Sequence, residues 1–337
     1  MPSFFDPATI SEIWRVPYQQ RAAEARLWAR EHSIPSAQKD ARRISLLLVD
    51  LQNTFCHPDF ELYVGGRSGT GAVDDNRRLC QFIYRNLDVF TEICPTMDTH
   101  QAGQIFHSIF LVNREGHHPE PYTTISLQDI EDGNWQFNTA LGPGLNLSGE
   151  EGQRYVEHYA RELASRGKYE LTIWPYHAML GGIGHALVSA VEEAIFFHGI
   201  CRLSQPDFQV KGRNPLTENY SVLRPEITVG PDGHRIDAKN LRFIQKLLNF
   251  DAVIIAGQAK SHCVAWTIED LLAEIQATGQ PLSEKVYLLE DCTSPVVIPD
   301  VIDYTEQADR VFDKFADAGM HLVKSTQPMD TWPGFCR

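Results

Sequence analysis

The sequence predicts an α/β fold: a mostly parallel sheet with helices on both faces, in a Rossmann-like three-layer arrangement. Apolar runs of strand length alternate with amphipathic runs of helix length from residue 44 onward, the pattern left by strand–helix crossovers. The run Ile44-Ser45-Leu46-Leu47-Leu48-Val49 ends on Asp50, and the β-branched run before Gly257 leads through a glycine turn into a helix. Both read as buried strands whose carboxyl ends carry polar groups, where open α/β sheets bind ligands. With 337 residues, 43% of them hydrophobic, the chain can bury a large core.

Taken in order, period and length assign an amphipathic helix to 18–32, a strand to 44–51, a helix to 73–89 and a strand to 92–98. The alternation then stalls. Residues 113–168 are rich in Gly, Pro, Asn and charge, with one helix expected over 149–166. It resumes with strand 171–174, helix 184–200, strand 208–212, helix 239–249 and strand 251–258. Helix 262–279, strand 285–290, helix 304–319 and strand 321–325 complete it. Residues 1–43 form an N-terminal extension, and 44–337 form one domain interrupted by the insertion at about 113–168. A connection that long is a lid or a packing addition; it covers a pocket or builds an oligomer interface.

A formal net charge of −14 argues against nucleic acid or an anionic membrane as partner and favours a small molecule. No run approaches eighteen apolar residues, and the start Met1-Pro2-Ser3-Phe4-Phe5-Asp6 has no signal-peptide pattern. The seven cysteines are scattered without paired metal spacing, so a reducing cytoplasm is expected.

Cys263 stands where the strand before Gly257 turns into a helix. The helix start lowers a thiol's pKa and favours thiolate; the alternative is a small buried hydrophobe. Lys211 ends the short strand pattern Phe208-Gln209-Val210. Three strand ends thus offer a carboxylate at Asp50, an ammonium at Lys211 and a thiol at Cys263, which together suggest an amide-cleaving constellation.

Six motifs occur in order: Val-Asp-Leu-Gln-Asn-Thr-Phe at 49–55, Met-Asp-Thr-His at 97–100, Trp-Pro-Tyr-His at 174–177, Lys211-Gly212, Asn219-Tyr220-Ser221 and the Cys263 segment. On these the chain resembles the nicotinamidases, a branch of the isochorismatase-like cysteine hydrolases, over about 44–326 outside the insertion. The resemblance implies an isochorismatase-like fold and hydrolysis of nicotinamide to nicotinate and ammonia through a thioester, feeding pyridine nucleotide salvage. It implies Asp50, Lys211 and Cys263 as catalytic triad, and Ala259 and Cys263 as the backbone donors of an oxyanion hole. It also implies a cis Gln258–Ala259 bond, and Phe55, Trp174 and Tyr220 as substrate-stacking aromatics, for which core packing is the alternative use.

The resemblance gives Asp98, His100 and His177 as ligands of one divalent metal ion, zinc first, with iron or manganese as alternatives. Chemistry agrees. Asp98 and His100 are two apart and leave one face of an extended segment, while Pro175 fixes the turn presenting His177. Two imidazoles and a carboxylate leave coordination positions open. His107 is a further ligand, a supporting partner or a surface residue; His117 and His118 are expected on the surface.

The chain departs from the family pattern at Asn219, where an acidic residue is usual, at Leu223 and at Ala178. The glycine run 65–71 lacks the strand and Gly-Lys-Ser/Thr of a phosphate cradle and reads as a loop. Gly181-Gly182-Ile183-Gly184 opens a helix as an anion site or permits close approach to the His177 loop. No Gly-x-Ser-x-Gly elbow supports a serine hydrolase, and His262, a helix neighbour of Cys263, points elsewhere. The alternatives to nicotinamide hydrolysis are a cysteine hydrolase acting on another amide or an isochorismate-like vinyl ether, and a non-catalytic pyridine-binding protein.

Overall fold

The computed structural model describes residues 1–166 and 169–335. The end of the expected insertion at 167–168 and the last two residues lie outside them. Six strands form one parallel sheet: β1 (Ile44–Val49), β2 (Glu92–Asp98), β3 (Gln209–Lys211), β4 (Ala252–Gly257), β5 (Val286–Leu289) and β6 (His321–Val323). They lie in the order β3-β2-β1-β4-β5-β6, every neighbouring pair parallel. The order reverses between β1 and β4, so the crevice beyond their carboxyl ends is the switch point where such sheets bind ligands.

The longer helices are α1 (Tyr18–Glu31), α2 (Gly71–Arg85), α3 (Gly149–Arg166), α4 (Ser189–Arg202), α5 (Leu241–Leu248), α6 (Ala265–Thr278) and α7 (Thr305–Asp317). Alternate strand residues face opposite layers. Leu46, Leu48, Ile254 and Ala256 pack with α2 and α4, whereas Leu47, Val49, Val253 and Ile255 pack with α5, α6 and α7. Covering both faces is why β1 and β4 are buried at every position. α7 shows the matching helical period, burying Ala308, Phe312 and Phe315. This is the three-layer α/β architecture that the sequence predicts.

Two expectations change. Residues 171–174 are not a strand of the main sheet: Leu171–Thr172 pair antiparallel with Thr124–Ile125 inside the insertion. The Trp174 N–H donates to the Phe106 carbonyl (2.9 Å), and Pro175, lacking an N–H, ends the run. The helix expected from 184 begins at Ser189, so the glycine run opens no helix. Instead the Gly184 and Ala186 carbonyls accept the N–H groups of Thr54 and Asn53 (both 2.9 Å).

The segment expected as an insertion shares a separate apolar cluster with its flanks. Phe110, Ile125, Phe137, Tyr155, Tyr159 and Leu163 pack with Trp174, and α3 supplies its central face. At the other end of the chain α1 lies on α4, tied by the Arg21–Glu193 ion pair (2.7 Å) and by the Cys201 thiol on the Ala25 carbonyl (3.3 Å). Among the described residues, no helix is long and apolar enough to cross a membrane.

Candidate active site

Four neighbouring strands deliver the polar groups. Asp50 follows β1, Asp98 ends β2, Lys211 ends β3, and Gln258-Ala259 follow β4. In the ladder Asp98 pairs with Lys211 and Val49 with Gly257. Gly257 has φ +127°, and a Cβ there would lie 2.1 Å from the Val49 carbonyl oxygen, so only glycine lets these strand ends close up. The Gln258–Ala259 bond is cis, as expected. Gln258 is held from two sides, donating to Asp75 Oδ2 (2.9 Å) and accepting from the Ser294 N–H (3.2 Å).

Lys211 is the hub. Its Nζ lies 3.0 Å from Asp50 Oδ2 and 3.0 Å from Asp98 Oδ1, donates to the Asn219 carbonyl (2.8 Å) and contacts Cys263 Sγ at 3.6 Å. Burial alone would lower its pKa, but the two carboxylates outweigh burial and raise it, so the ammonium stays charged. Asp50 is fixed by Thr96, whose hydroxyl both accepts from the Asp50 N–H (3.0 Å) and donates to Oδ1 (2.5 Å). Burial raises the pKa of Asp50; Lys211 opposes and Asp98 adds to the rise. The three residues expected as a triad are brought together.

The state of the thiol is a correction. Cys263 lies in a wide π-type turn, Lys260–Val264, that precedes α6, a distortion frequent at functional sites. Its pKa is raised well above the ordinary thiol value, by burial first; Lys211 lowers it, while Asp50 and Asp98 raise it further. Burial thus opposes the thiolate that Lys211 favours, and a base beside the thiol helps to form it. His262 is not that base. Its Nδ1 meets the Ser261 hydroxyl (2.8 Å) and its ring stacks on Tyr169, while burial pulls its pKa to about 3.

Next to Lys211, His100, His107 and His177 converge, all buried, their ligand atoms within 4.8 Å of one another. The extended chain beyond β2 positions two of them: the His100 N–H donates to the Ala178 carbonyl and the Leu180 N–H to the His100 carbonyl (both 3.0 Å). Each ring turns Nδ1 to a backbone carbonyl, His100 to His177 (3.2 Å), His107 to Ala102 (3.1 Å) and His177 to Pro175 (2.7 Å). In a neutral ring this leaves the Nε2 lone pair for an ion. His100 Nε2 is 3.0 Å from Asp98 Oδ1, close enough for the two atoms to share one cation. His107 Nε2 is buried with no hydrogen-bond partner among the described residues.

Burial, then the neighbouring His100, pulls His107 to about 4 and His177 to about 3. For Asp98, burial is outweighed by His100 and Lys211, which hold it below the usual carboxylate range. An oxygen and three imidazole nitrogens suit a divalent transition metal. The expected ligands Asp98, His100 and His177 thus come together, and His107 joins them. Gly212 makes room: with φ +80°, a Cβ there would lie 2.7 Å from Asp98 Oδ1 and 2.9 Å from His100 Nε2. His117 is exposed, and His118 is turned to the Leu111 carbonyl.

Asp98, His100, His177 and Cys263 open onto a cavity of about 530 Å3, including its mouth, walled by Phe55, Phe106, Trp174, Tyr220 and Ala259. Phe55, Trp174 and Tyr220 therefore all face it. Glu218 also lines it and was not among the expected residues. Its Oε1 accepts from the Tyr220 hydroxyl and Oε2 from the Tyr159 hydroxyl (both 2.8 Å). Burial raises its pKa to about 7 against the pull of these tyrosines. Glu218 stands one position before Asn219. Ala178 has φ +50°, and Leu223 is buried in the core beside α5 and α6.

No protein-family model matches the sequence, and neither does any curated protein. Among solved structures the chain is similar to the nicotinamidase-pyrazinamidase of Acinetobacter baumanii, at 18% identity over 86% of this chain and 99% of that one, TM-score 0.50. The yeast nicotinamidase aligns at 19% identity over 83% and 99%, TM-score 0.50. A second structure of the yeast enzyme, bound to the inhibitor nicotinaldehyde, aligns at 17% identity over 83% and 99%, TM-score 0.50. The chain has the α/β fold of these proteins.

Proposed function

We propose that this protein is a metal-containing cysteine amidohydrolase that converts nicotinamide to nicotinate and ammonia. The observation that carries the reading is Lys211, whose buried ammonium touches Asp50, Asp98 and Cys263 at the edge of an aromatic-walled cavity. A structural lysine needs one carboxylate; this one brings together a base and a thiol. The nicotinamidases that share the fold, one of them bound to nicotinaldehyde, support the substrate class.

In the proposed reaction Asp50, made more basic by burial, takes the Cys263 proton, and Lys211 steadies the thiolate as it forms. Sulfur attacks the carboxamide carbon, and the carbonyl electron pair moves to oxygen, which accepts hydrogen bonds from the Ala259 and Cys263 N–H groups. Collapse expels ammonia with the proton returned by Asp50 and leaves a thioester. Asp50 then accepts a proton from water as the water oxygen adds to the thioester carbon. The second collapse forms the acid and releases sulfur, which recovers its proton from Asp50.

Asp98, His100, His177 and His107 would hold the metal. When bound, it supplies a Lewis acid for the pyridine nitrogen, directly or through water. Phe55, Trp174 and Tyr220 would hold the ring between their faces. The test is ammonia release from nicotinamide by the purified protein, with Cys263→Ala beside it. Turnover that vanishes in the variant while fold and metal content persist supports the reading; wild-type protein that releases no ammonia, or an active variant, refutes it.

A further inference from the structure

We propose that the insertion sets the pocket's aromatic wall, with Tyr159 of α3 as a positioning residue that acts through Glu218. The inference rests on the amidohydrolase reading and assigns the insertion a part in holding substrate.

The side-chain hydrogen bonds converge on the Glu218 carboxyl group. Trp174 has a single N–H and no acceptor, so Nε1 must donate, and it does so to the Tyr220 hydroxyl (3.0 Å). Tyr220 donates onward to Glu218 Oε1 (2.8 Å). Tyr159 donates to the other oxygen (2.8 Å) and accepts from the Glu218 N–H (3.0 Å). Tyr159 is fully buried and Glu218 nearly so. Such a network fixes one geometry when every member is satisfied and loosens when one is lost.

Two of the aromatics facing the cavity hang on this chain, and one of its two anchors lies inside the insertion. The same helix grips the same segment twice more: Tyr155 donates to the Leu216 carbonyl (2.7 Å), and His158 Nε2 meets the Val229 carbonyl (2.8 Å). Between those grips Glu218, Asn219 and Tyr220 line the cavity, and the Asn219 carbonyl takes the Lys211 ammonium. Among the described residues, the insertion is packed behind the wall and bonded to it, and none of them lines the cavity. Its apolar cluster includes Trp174, so wall and insertion share one packing unit.

A wall held this way governs how tightly a ring is bound more than how fast the carboxamide reacts, because Asp50 and Lys211 stand on strand ends and Cys263 in the turn before α6, while the Tyr159 hydroxyl bonds to Glu218 alone. Tyr159→Phe removes the hydroxyl and keeps the ring. The expected result is a KM for nicotinamide raised about tenfold, the loss of about 1.4 kcal/mol of binding, with kcat within about twofold of wild type. A purely structural role would lower the melting temperature without separating KM from kcat. Unchanged KM, or a fall in kcat with KM intact, overturns the proposal. If that variant does not fold, Tyr155→Phe, which removes the bond from the same helix to the Leu216 carbonyl, is read the same way.

Nicotinate affinity by titration calorimetry separates this inference from the function. Wild-type protein that binds nicotinate but hydrolyses no nicotinamide ends the amidohydrolase reading, while about tenfold weaker nicotinate binding by Tyr159→Phe upholds the wall. Equal affinities overturn it. Wild-type protein that neither hydrolyses nicotinamide nor binds nicotinate overturns both.

Discussion

At the scale of single residues, Lys211 carries a burial cost that one carboxylate would offset, yet it faces two, Asp50 and Asp98, each at 3.0 Å. Replacing it by Met leaves those carboxylates without their shared cation and removes the only group the thiol has to lower its pKa among its larger influences. Lys211→Met should therefore slow alkylation of Cys263 by iodoacetamide near neutral pH by tenfold or more, with stability reduced by about 3–5 kcal/mol from the uncompensated charge. Wild-type alkylation kinetics would dismiss the contact. His107 makes a second case: its buried Nε2 has no hydrogen-bond partner among the described residues, so His107→Ala should lower bound metal measured by elemental analysis, and unchanged stoichiometry would return it to a supporting part. The sequence made the position of Cys263 legible through its strand–turn–helix setting. The thiol's protonation was not, because burial is set by neighbours from β1, β2 and β3 that are distant along the chain.

At the scale of elements, β1 and β4 could be read because strands buried on both faces are written as unbroken apolar runs. Leu171-Thr172-Ile173-Trp174 has the same look, and no periodicity tells a main-sheet strand from a short pair inside an insertion; its partner Thr124–Ile125 lies in a stretch without strand signals. Glu218 was missed for a related reason. The acidic slot was sought next to Tyr220, whereas a residue two positions before shares a face with it on extended chain, and that spacing was the available signal. The β3 terminus gives a prediction of its own. Gly212 holds a positive φ, and a methyl group there would press on Asp98 Oδ1 and His100 Nε2. Gly212→Ala should cut metal content at least as much as His107→Ala, while the far edge of the sheet at β5 and β6 keeps its amide-exchange protection. Full metal occupancy in that variant would show that the strand end can yield.

At the scale of the whole molecule, the N-terminal extension is joined to the α/β domain through a polar seam rather than by apolar contact alone. Arg202 on α4 is fully buried and donates to both oxygens of Asp40 (2.5 and 2.6 Å) and to the Phe90 carbonyl (3.2 Å). One turn earlier His198 is buried with Nε2 on that same carbonyl (2.9 Å). Burial first, then the Arg202 charge, pulls the His198 pKa from 6.5 to about 4, with Phe90 and Asp40 opposing. The folded chain therefore refuses a proton that the unfolded chain accepts below about pH 6.5. Stability from this residue is complete above that pH and is lost as the pH falls toward 4, by about 3 kcal/mol in all. His198→Gln keeps a donor for the Phe90 carbonyl and does not titrate. Urea unfolding at pH 7 and pH 4 should then show the variant losing about 3 kcal/mol less than wild type across that interval, and equal losses in the two proteins would mean that His198 is protonated in the folded seam.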